Sequence, residues 1–242
     1  MIDTIQNVIK GSKSIVYFGG AGTSTESEIP DYRTAGGLYS RDKLKGRSPE
    51  ELLHINTLQH DPEIFYQFYR NHMIYPHAVP NQAHRVLAKW EKEGRLAAVI
   101  TQNIDGLHQL AGSRQVLELH GSVYRNYCMN CHRQARLENV LDSRHAVPRC
   151  EKCNGMIRPD VVLYGESLDE DVIQRAIGFL TASDFLIIGG TSLAVYPAAG
   201  LLRCFNGPNL LIINREPTPF DQRARWVIRE AIGSVLSRLD RM

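Results

Sequence analysis

Short, almost continuously apolar runs alternate with amphipathic stretches along most of the chain. Five such runs predict buried strands, at residues 14–18, 97–101, 185–188, 210–213 and, more weakly, 226–228. Apolar residues at helical spacing predict helices, as at residues 2–9, 83–93 and 169–181. Apolar strands that alternate with helices are typical of a parallel sheet covered on both faces. We therefore predict a doubly wound α/β domain.

Two segments interrupt this alternation. Residues 29–80 contain no convincing core strand and are rich in Tyr, His and turn residues, which predicts a long loop and then a helical lobe around residues 49–74. Residues 124–160 contain four cysteines and few large aliphatic residues. We expect this second segment to be a small insertion that cannot form a hydrophobic core of its own.

The cysteines supply the clearest chemical signal. Four of the 5 cysteines follow the spacing C-x2-C-x18-C-x2-C, and they are Cys128, Cys131, Cys150 and Cys153. This spacing predicts a tetrahedral zinc site with four thiolates, which has no position for a catalytic water and is therefore structural. The metal would replace the missing core of the insertion. A redox pair or two disulfides are the competing interpretations, and both are disfavoured in a cytosolic chain.

Composition narrows the class of protein. A hydrophobic content of 43% in 242 residues suffices for a full core, and a net charge of +2 is not the electrostatic footprint of a dedicated nucleic-acid binder. The first residues lack the layout of a signal peptide, and no apolar run approaches the ~20 residues that a membrane-spanning helix needs. We expect a cytoplasmic protein, a monomer or weak oligomer, without specific nucleic-acid or membrane binding.

Glycine-rich turns follow several of the predicted strands. Gly20, Ala21 and Gly22 come directly after the first strand, where a doubly wound sheet binds phosphates. The match to G-x-G-x-x-G is weak alone, because Thr25 occupies the third glycine position, and a plain tight turn stays open as an alternative. Two other strand ends carry polar groups to the same edge of the sheet: Gly190, Thr191 and Ser192, and then Asn214 and Glu216. Together these turns predict a nucleotide-binding crevice.

A polar stretch follows the strand predicted at residues 97–101. Gln102, Asn103 and Asp105 lie there around the apolar Ile104, at the rim of the same crevice. Downstream, His120 is the candidate whose ordinary pKa lies near neutrality, as a general base requires. On the pattern alone, a single histidine is more often structural or on the surface than catalytic.

Taken in order, these motifs resemble those of the sirtuin family from about residue 12 to 238. The matching stretches are Gly20-Ala21-Gly22-Thr23-Ser24, Ile29-Pro30-Asp31-Tyr32-Arg33, Gln102-Asn103-Ile104-Asp105, His120-Gly121, the cysteine pairs, Gly190-Thr191-Ser192-Leu193 and Asn214-x-Glu216. The resemblance implies an NAD-dependent protein-lysine deacetylase with a Rossmann-like core and one structural zinc ion. Such an enzyme transfers the acetyl group of acetyl-lysine proteins or peptides to ADP-ribose and releases nicotinamide and O-acetyl-ADP-ribose.

The resemblance also implies a role for each matching residue. His120 would be the general base, and Asn103 would position water or a ribose hydroxyl. The acyl-lysine peptide would pair as an added strand along residues 161–166. Its contacts would be Val161, Val162, Tyr164 and Tyr66. The residues implied to bind NAD are Gly20, Ala21, Gly22, Thr25, Tyr32, Arg33, Gln102, Asn103, Ile104, Asp105, Gly190, Thr191, Ser192, Asn214 and Glu216.

Several positions depart from the family pattern. Tyr32 and Tyr164 replace the usual phenylalanines, and Glu28 stands where a glycine is frequent. Family members that remove acidic acyl groups carry Tyr-x-x-Arg where this chain has Tyr66-x-x-Tyr69, so we expect a preference for neutral acyl groups. Arg70 is one residue away, so this expectation depends on the register of the alignment.

We predict a single catalytic domain over residues 1–242. The Rossmann-like core would comprise residues 1–35, 81–123 and 161–242, with a cofactor loop and helical lobe at 36–80 and a zinc-binding module at 124–160. Two alternatives stay open. The first is cleavage of NAD with ADP-ribosyl transfer to protein or water, which uses the same NAD-binding residues. The second is a non-catalytic zinc ribbon that binds nucleic acid or a partner, which leaves the strand-end motifs unexplained.

Overall fold

A computed structural model describes residues 1–31, 44, 46–142, 144–194 and 197–241. The strands are β1 (Ile15–Gly19), β2 (Leu96–Thr101), β3 (Val116–Glu118), β4 (Gly121–Cys128), β5 (Gln134–Ala135), β6 (Ile157–Val161), β7 (Phe185–Gly189), β8 (Asn209–Ile213) and β9 (Trp226–Ile228). The α-helices are α1 (Ile2–Gly11), α2 (Pro49–Leu52), α3 (Ile55–His60), α4 (Pro62–His72), α5 (Gln82–Lys92), α6 (Leu107–Leu110), α7 (Leu137–Leu141), α8 (Glu170–Ala182) and α9 (Ile232–Asp240). Short 3₁₀ turns lie at Ala21–Thr23, Thr25–Ser27, Ala198–Cys204 and Asp221–Arg223.

Six parallel strands form the larger sheet in the order β3-β2-β1-β7-β8-β9. The chain winds outward from β1 in one direction and, from β7, in the other, so the direction of winding reverses between these two strands. Every position of β1, β7 and β8 is buried. The predicted doubly wound α/β fold is therefore confirmed.

Alternation along β1 divides the core of this sheet into two layers. Ile15 and Tyr17 pack on the face covered by α1, α5 and α9, whereas Val16 and Phe18 pack on the face covered by α8 and the 3₁₀ turn at Ala198–Cys204. Side chains on a strand point alternately to its two faces, so an unbroken apolar run such as β1 must be covered on both sides.

A smaller antiparallel sheet, in the order β5-β4-β6, lies in the cysteine-containing segment. Its apolar residues share one cluster with the helices at residues 49–72, as Val140 and Ile157 do with Leu52 and Phe65. The expectation that this segment lacks a core of its own fits this arrangement, because it borrows the apolar faces of α2 and α4. The two segments that interrupt the α/β alternation thus pack against each other.

All five predicted strands are present, each within about two residues of its predicted ends, and the first helix and those near residues 83–93 and 169–181 are also present. The sequence analysis missed β3, which has only 3 residues with just one buried. No helix within the described part of the chain has the length and apolar character that crossing a membrane requires.

Candidate active site

The carboxyl ends of β1 and β7 approach each other through glycine. The Gly20 N–H donates to the Gly189 oxygen (3.1 Å), and the Gly22 N–H donates to the Gly190 oxygen (2.8 Å). A β-carbon on Gly22 would lie 2.6 Å from the Gly190 Cα atom, and Gly190 has a φ of +60°. Glycine alone tolerates this approach. The two turns therefore meet at the point where the winding direction reverses, which is where doubly wound sheets bind their ligands.

Ser24 joins the turn after β1 to the polar stretch after β2. Its hydroxyl donates to Asp105 Oδ2 (2.6 Å), and the side-chain amide of Asn103 donates to Ser24 Oγ (3.0 Å). Burial raises the pKa of Asp105, while its bonds to Ser24, Leu107 and Asn103 act in the opposite direction. Ser24 belongs to one of the matching motifs, but no role was predicted for it. A single serine gives no indication of which distant residue its hydroxyl will bind.

His120 lies between β3 and β4, beside the backbone of Gln102. Its Nδ1 atom is 2.9 Å from the Gln102 carbonyl oxygen. A carbonyl can only accept, so Nδ1 carries the proton and Nε2 keeps the lone pair that a general base needs. Burial lowers the pKa of His120, although the bond to Gln102 opposes the shift. The neutral imidazole is therefore the favoured form at pH 7.

The side chain of Gln102 reaches the turn after β7. Its Oε1 atom accepts a hydrogen bond from the Thr191 hydroxyl (2.9 Å), and the same hydroxyl accepts the Leu193 N–H (3.2 Å). Gln102 thus contacts His120 through its backbone and Thr191 through its side chain. The structure brings together three of the predicted motifs at this residue.

Gly121 sets the distance between His120 and the segment at residues 161–166. Gly121 has a φ of +77°, and a β-carbon there would lie 2.0 Å from the Asp160 oxygen. The Val162 N–H donates to the His120 oxygen (3.0 Å). The residue next to the predicted base therefore permits direct backbone contact between that base and residues 161–166.

On its other side, the 161–166 segment is bound by the helical lobe. The Tyr164 N–H donates to the Leu53 oxygen (3.1 Å), and the Ile55 N–H donates to the Tyr164 oxygen (3.0 Å). The segment therefore bridges His120 and the α2–α3 connection. Val161 is the last residue of β6, the edge strand of the smaller sheet, and Val162 follows it directly.

A cavity opens between the turn after β1, the stretch after β2 and the end of α4. Asn103 and Asp105 give it polar groups, and Ile104, only 7% exposed, gives it an apolar wall. The residues that line the cavity are Ala21, Ser24, Ile29, Pro30, His72, Met73, Tyr75, Asn103, Ile104 and Asp105.

The loop after β8 is held in place by an arginine. The Asn214 side-chain amide donates to the Glu216 oxygen (2.7 Å), and Arg229 Nη1 donates to the oxygens of both Asn214 (3.1 Å) and Glu216 (2.8 Å). Arg229 also pairs with Asp221. Arg229 was not among the predicted site residues, because a single arginine 13 residues beyond Glu216 belongs to no recognisable motif.

The four paired cysteines converge on one point. Cys128 Sγ lies 3.5 Å from Cys153 Sγ, Cys131 Sγ lies 3.8 Å from Cys150 Sγ, and all four sulfurs lie within 4.8 Å of one another. Tetrahedral Zn–S bonds of about 2.3 Å place sulfurs about 3.8 Å apart. The four thiolates therefore fit one zinc ion.

Both cysteine knuckles have the same backbone form. The residue after each second cysteine has a left-handed conformation, with φ 55° at His132 and 58° at Asn154. The His132 N–H donates to the Cys128 oxygen (3.0 Å), and the Asn154 N–H donates to the Cys150 oxygen (2.8 Å). Each turn points its two sulfurs inward.

Comparison with known proteins agrees with this geometry. The Sir2 family model matches residues 20–197. An NAD-dependent protein deacetylase of Clostridium acetobutylicum is 50% identical over 235 residues, which cover 97% of this chain and 96% of the relative. A structure of a Sir2 variant with deacetylated p53 peptide and 3′-O-acetyl ADP ribose aligns with a TM-score of 0.90 at 38% identity, covering 98% of this chain and 96% of that one. A structure of Sir2 with p53 peptide and NAD⁺ aligns with a TM-score of 0.86 at 38% identity, covering 99% and 97%.

The chain belongs to the Sir2 family. The family predicted from the motifs is thereby confirmed, together with its type of enzyme and its dependence on NAD. The zinc prediction is supported by the four converging thiols of the cysteine-containing segment.

Three of the predicted Sir2 residues need separate comment. Tyr32 and Arg33 lie outside the described residues. Tyr66 is fully buried, and its hydroxyl donates to the Ile157 oxygen. The role of Tyr66 as a substrate contact stays a prediction.

Proposed function

We propose that this chain deacetylates lysine side chains of proteins in a reaction that consumes NAD, with His120 as the general base. The observation that carries the proposal is the position of His120. Its ring is fixed by the Gln102 oxygen, and its own carbonyl is bound by the Val162 N–H. One residue therefore connects the predicted nicotinamide pocket to the segment predicted to bind acyl-lysine.

The glycine turns at the carboxyl ends of β1 and β7 support an NAD site there, because β-carbons on Gly22 or Gly190 would force the two turns apart. When bound, NAD supplies the ribose carbon that nicotinamide leaves and the acyl oxygen attacks. In our proposal, Gly20, Ala21, Gly22 and Thr25 hold the phosphates, and Gly190, Thr191, Ser192, Asn214 and Glu216 hold the adenosine. Gln102, Ile104 and Asp105 surround the nicotinamide, and Asn103 positions water or a ribose hydroxyl.

His120 would accept a proton from a ribose hydroxyl through Nε2. Two features support this role. The hydrogen bond to the Gln102 oxygen keeps the proton on Nδ1, and burial lowers the pKa of the ring. A base that is already neutral at pH 7 needs no prior loss of a proton. His120 would therefore act in the form that its surroundings favour.

The acyl-lysine peptide would extend the smaller sheet at the β6 edge. Val161 and Val162 provide the backbone there, and Tyr164, bound to the α2–α3 connection, closes the end of the segment. Main-chain pairing of this kind gives affinity with little demand on the peptide sequence. We therefore propose that recognition depends more on the acyl-lysine than on its neighbours.

Neutral acyl groups are the proposed substrates, and Arg70 supports this. Its Nε donates to the Val140 oxygen (2.6 Å), and its Nη atoms donate to the oxygens of residues 142, 145 and 146. The guanidinium is thus committed to the cysteine-containing segment. An acidic acyl group would have to compete with four carbonyl oxygens for this cation.

We also propose a cytoplasmic monomer or weak oligomer, classed as a transferase, with no specific affinity for nucleic acid. None of the five cysteines, all of which lie among the described residues, forms a disulfide, which suits a reducing compartment. The net charge of +2 supports the proposal on nucleic acid. The zinc ion is proposed to be structural, since four thiolates complete its coordination.

The test is a panel of acetyl-, butyryl- and succinyl-lysine peptides incubated with and without NAD, with mass spectrometry of both peptide and nucleotide products. We expect peptide-dependent release of nicotinamide, strict NAD dependence, and little turnover of the succinyl peptide. His120→Ala should abolish deacetylation, whereas His77→Ala, at an exposed position, should not. Nicotinamide release that ignores the peptide would instead favour ADP-ribosyl transfer.

A further inference from the structure

A bidentate ion pair lies inside the loop formed by residues 158–166. Arg158, on β6, is only 9% exposed. Its Nη1 and Nη2 atoms lie 2.7 Å and 2.9 Å from the two carboxylate oxygens of Glu166. Paired N–H···O bonds of this fork geometry are both stronger and more directional than a single contact. The pair therefore fixes the orientation of both side chains.

The same two side chains also bind the backbone between them. Glu166 Oε2 accepts the Leu163 N–H (2.9 Å), and the Glu166 N–H donates to the Leu163 oxygen (3.0 Å). Arg158 Nη2 donates to the Val161 oxygen, and Nε donates to the Pro159 oxygen, both at 3.1 Å. Residues 159, 161, 163 and 166 are thus all held by one pair of opposite charges. We call this pair the 158–166 clamp.

The clamp lies behind the residues proposed to receive the acyl-lysine chain. Val162, which the clamp does not contact directly, donates to His120, and Tyr164 is paired with Leu53 and Ile55. Alternate residues of the segment therefore bind inward, to the clamp, and outward, to the base and the helical lobe.

Both side chains of the clamp are charged, since the pKa of Arg158 is raised by Glu166 and that of Glu166 is lowered by Arg158. Burial by itself raises the pKa of Glu166, but Arg158 and the Leu163 N–H outweigh it, so the carboxyl stays ionised. The Arg158 guanidinium also lies 5.7 Å from the centre of the Tyr127 ring. Replacement of either side chain would remove the fork and leave its partner with backbone hydrogen bonds alone, to Leu163 for Glu166 and to Pro159 and Val161 for Arg158.

We propose that Arg158 and Glu166 are positioning residues that hold residues 161–166 in the form that accepts the acyl-lysine peptide. They touch neither the reacting atoms nor the proposed NAD-binding turns, which lie at the carboxyl ends of the other sheet. The clamp should therefore set the affinity for peptide and leave the affinity for NAD almost unchanged. This inference rests on the proposed function, because it assigns a role within the same peptide site.

The experiment compares Glu166→Gln and Arg158→Lys with the wild-type chain. Steady-state KM values for acetyl-peptide and for NAD are measured separately, together with the Tm and zinc content of each variant. We expect the peptide KM to rise by about tenfold or more, which corresponds to the loss of one charge-assisted contact, while the NAD KM changes by less than about twofold. The control is Glu230→Gln, which removes an exposed pair with Arg238 on α9 and should alter neither KM.

Two outcomes would overturn the inference. One is a peptide KM that stays at the wild-type value in both variants. The other is a parallel rise of both KM values with loss of zinc, which is the signature of a general structural role. If Glu166→Gln does not fold, Arg158→Lys still tests the inference, because lysine keeps the positive charge but cannot form the bidentate contact with Glu166.

A binding measurement separates this inference from the proposed function. Fluorescence anisotropy of a labelled acetyl-lysine peptide, with excess ADP-ribose to occupy the proposed NAD site, reports peptide affinity without turnover. If the wild-type chain fails to deacetylate, the proposed function is wrong. If it deacetylates but the clamp variants bind peptide as tightly as the wild type, only the clamp is wrong.

Discussion

The Nδ1 atom of His120 lies 2.9 Å from the carbonyl oxygen of Gln102, a residue 18 positions earlier in the chain. This contact assigns the proton to Nδ1 and leaves Nε2 available to accept one. It also ties the orientation of the ring to the backbone at the end of β2. The orientation of the proposed catalytic base therefore depends on the main chain at Gln102.

The first prediction concerns the pH dependence of deacetylation. Burial lowers the pKa of His120, so the ring loses its proton at a pH below the ordinary histidine value of about 6.5. The rate should therefore rise with pH and reach its plateau before neutrality. Measurement of kcat/KM from pH 5 to 8 checks this. An acid limb centred above pH 7 would contradict the assignment of His120 as the base.

Much of this arrangement could be predicted from the sequence, because the strand ends and the cysteine spacing are local patterns. Fully apolar strands such as β7 and β8 are expected in a parallel sheet that is buried between two layers of helices. The spacing of each C-x2-C pair likewise predicts a turn that brings its two sulfurs together. These features can be predicted without information about contacts between distant segments.

The remaining features depend on contacts between segments far apart in the chain. Ser24 reaches Asp105 across 81 positions, and Arg229 binds the backbone of a loop rather than a motif. The full burial of Tyr66 could not be predicted either, because helical periodicity indicates which face of α4 is apolar but not how deeply a side chain on that face is packed. Its neighbours in the core come from the cysteine-containing segment, which the sequence shows as an insertion.

The second prediction concerns Gly121. A β-carbon there meets the Asp160 oxygen at 2.0 Å in a left-handed conformation, so Gly121→Ala should separate β4 from β6. We expect a loss of at least about 2 kcal/mol in the free energy of unfolding and a large loss of deacetylation. Gly94→Ala is the matched control, since Gly94 has a similar φ of +74° but nothing within 4 Å of the added carbon.

Denaturant titration of both glycine variants, with activity measured on the folded fraction, separates the cost of the clash with Asp160 from the cost of the left-handed conformation. If both variants lose the same free energy of unfolding, the clash with Asp160 does not contribute to it. A Gly121→Ala variant with wild-type activity would show that His120 does not need the backbone contact between β4 and β6.

The third prediction concerns metal removal. The cysteine-containing segment has one antiparallel sheet of three strands and shares its apolar core with α2 and α4. Bound zinc should therefore contribute a large part of the free energy that keeps this segment folded. Chelation should lower the Tm by about 10 °C or more, given about 2–4 °C per kcal/mol in a chain of this size. Cys153→Ser should act like chelation. Cys204→Ser, which removes the cysteine outside the cluster, should retain zinc and stability, and an unchanged Tm after demetallation would refute the structural role.

The fourth prediction concerns two buried histidines outside the proposed machinery. His84 and His108 are at most 1% exposed, their ring centres lie 4.7 Å apart, and burial lowers the pKa of His84 to about 4 and that of His108 well below its ordinary value. The unfolded chain binds their protons near pH 6.5. Because the folded pKa values are depressed, stability should fall as the pH drops below about 6.5, by about 2 kcal/mol for His84 at pH 5.

Guanidinium titrations at pH 7.5 and pH 5 measure this loss. His108→Phe keeps a ring of similar shape and removes two ring nitrogens that have no hydrogen-bond partner among the described residues. It should reduce the difference in stability between the two pH values. His77→Asn, at an exposed site, serves as the control and should leave that difference unchanged.

The last prediction concerns Glu28, which stands where the family frequently has glycine. Glu28 has φ 64° and ψ 17°, so it adopts the left-handed conformation at the end of the turn Thr25–Ser27. This conformation costs a residue with a β-carbon about 1–2 kcal/mol, whereas glycine adopts it freely at an entropic cost of about 0.5–1 kcal/mol in the unfolded chain. Glu28→Gly should therefore stabilise the fold by up to about 1 kcal/mol. Glu28→Ala keeps the β-carbon and should give no gain, and equal stability of the two variants in urea titrations would show that the strain at this turn is relieved elsewhere.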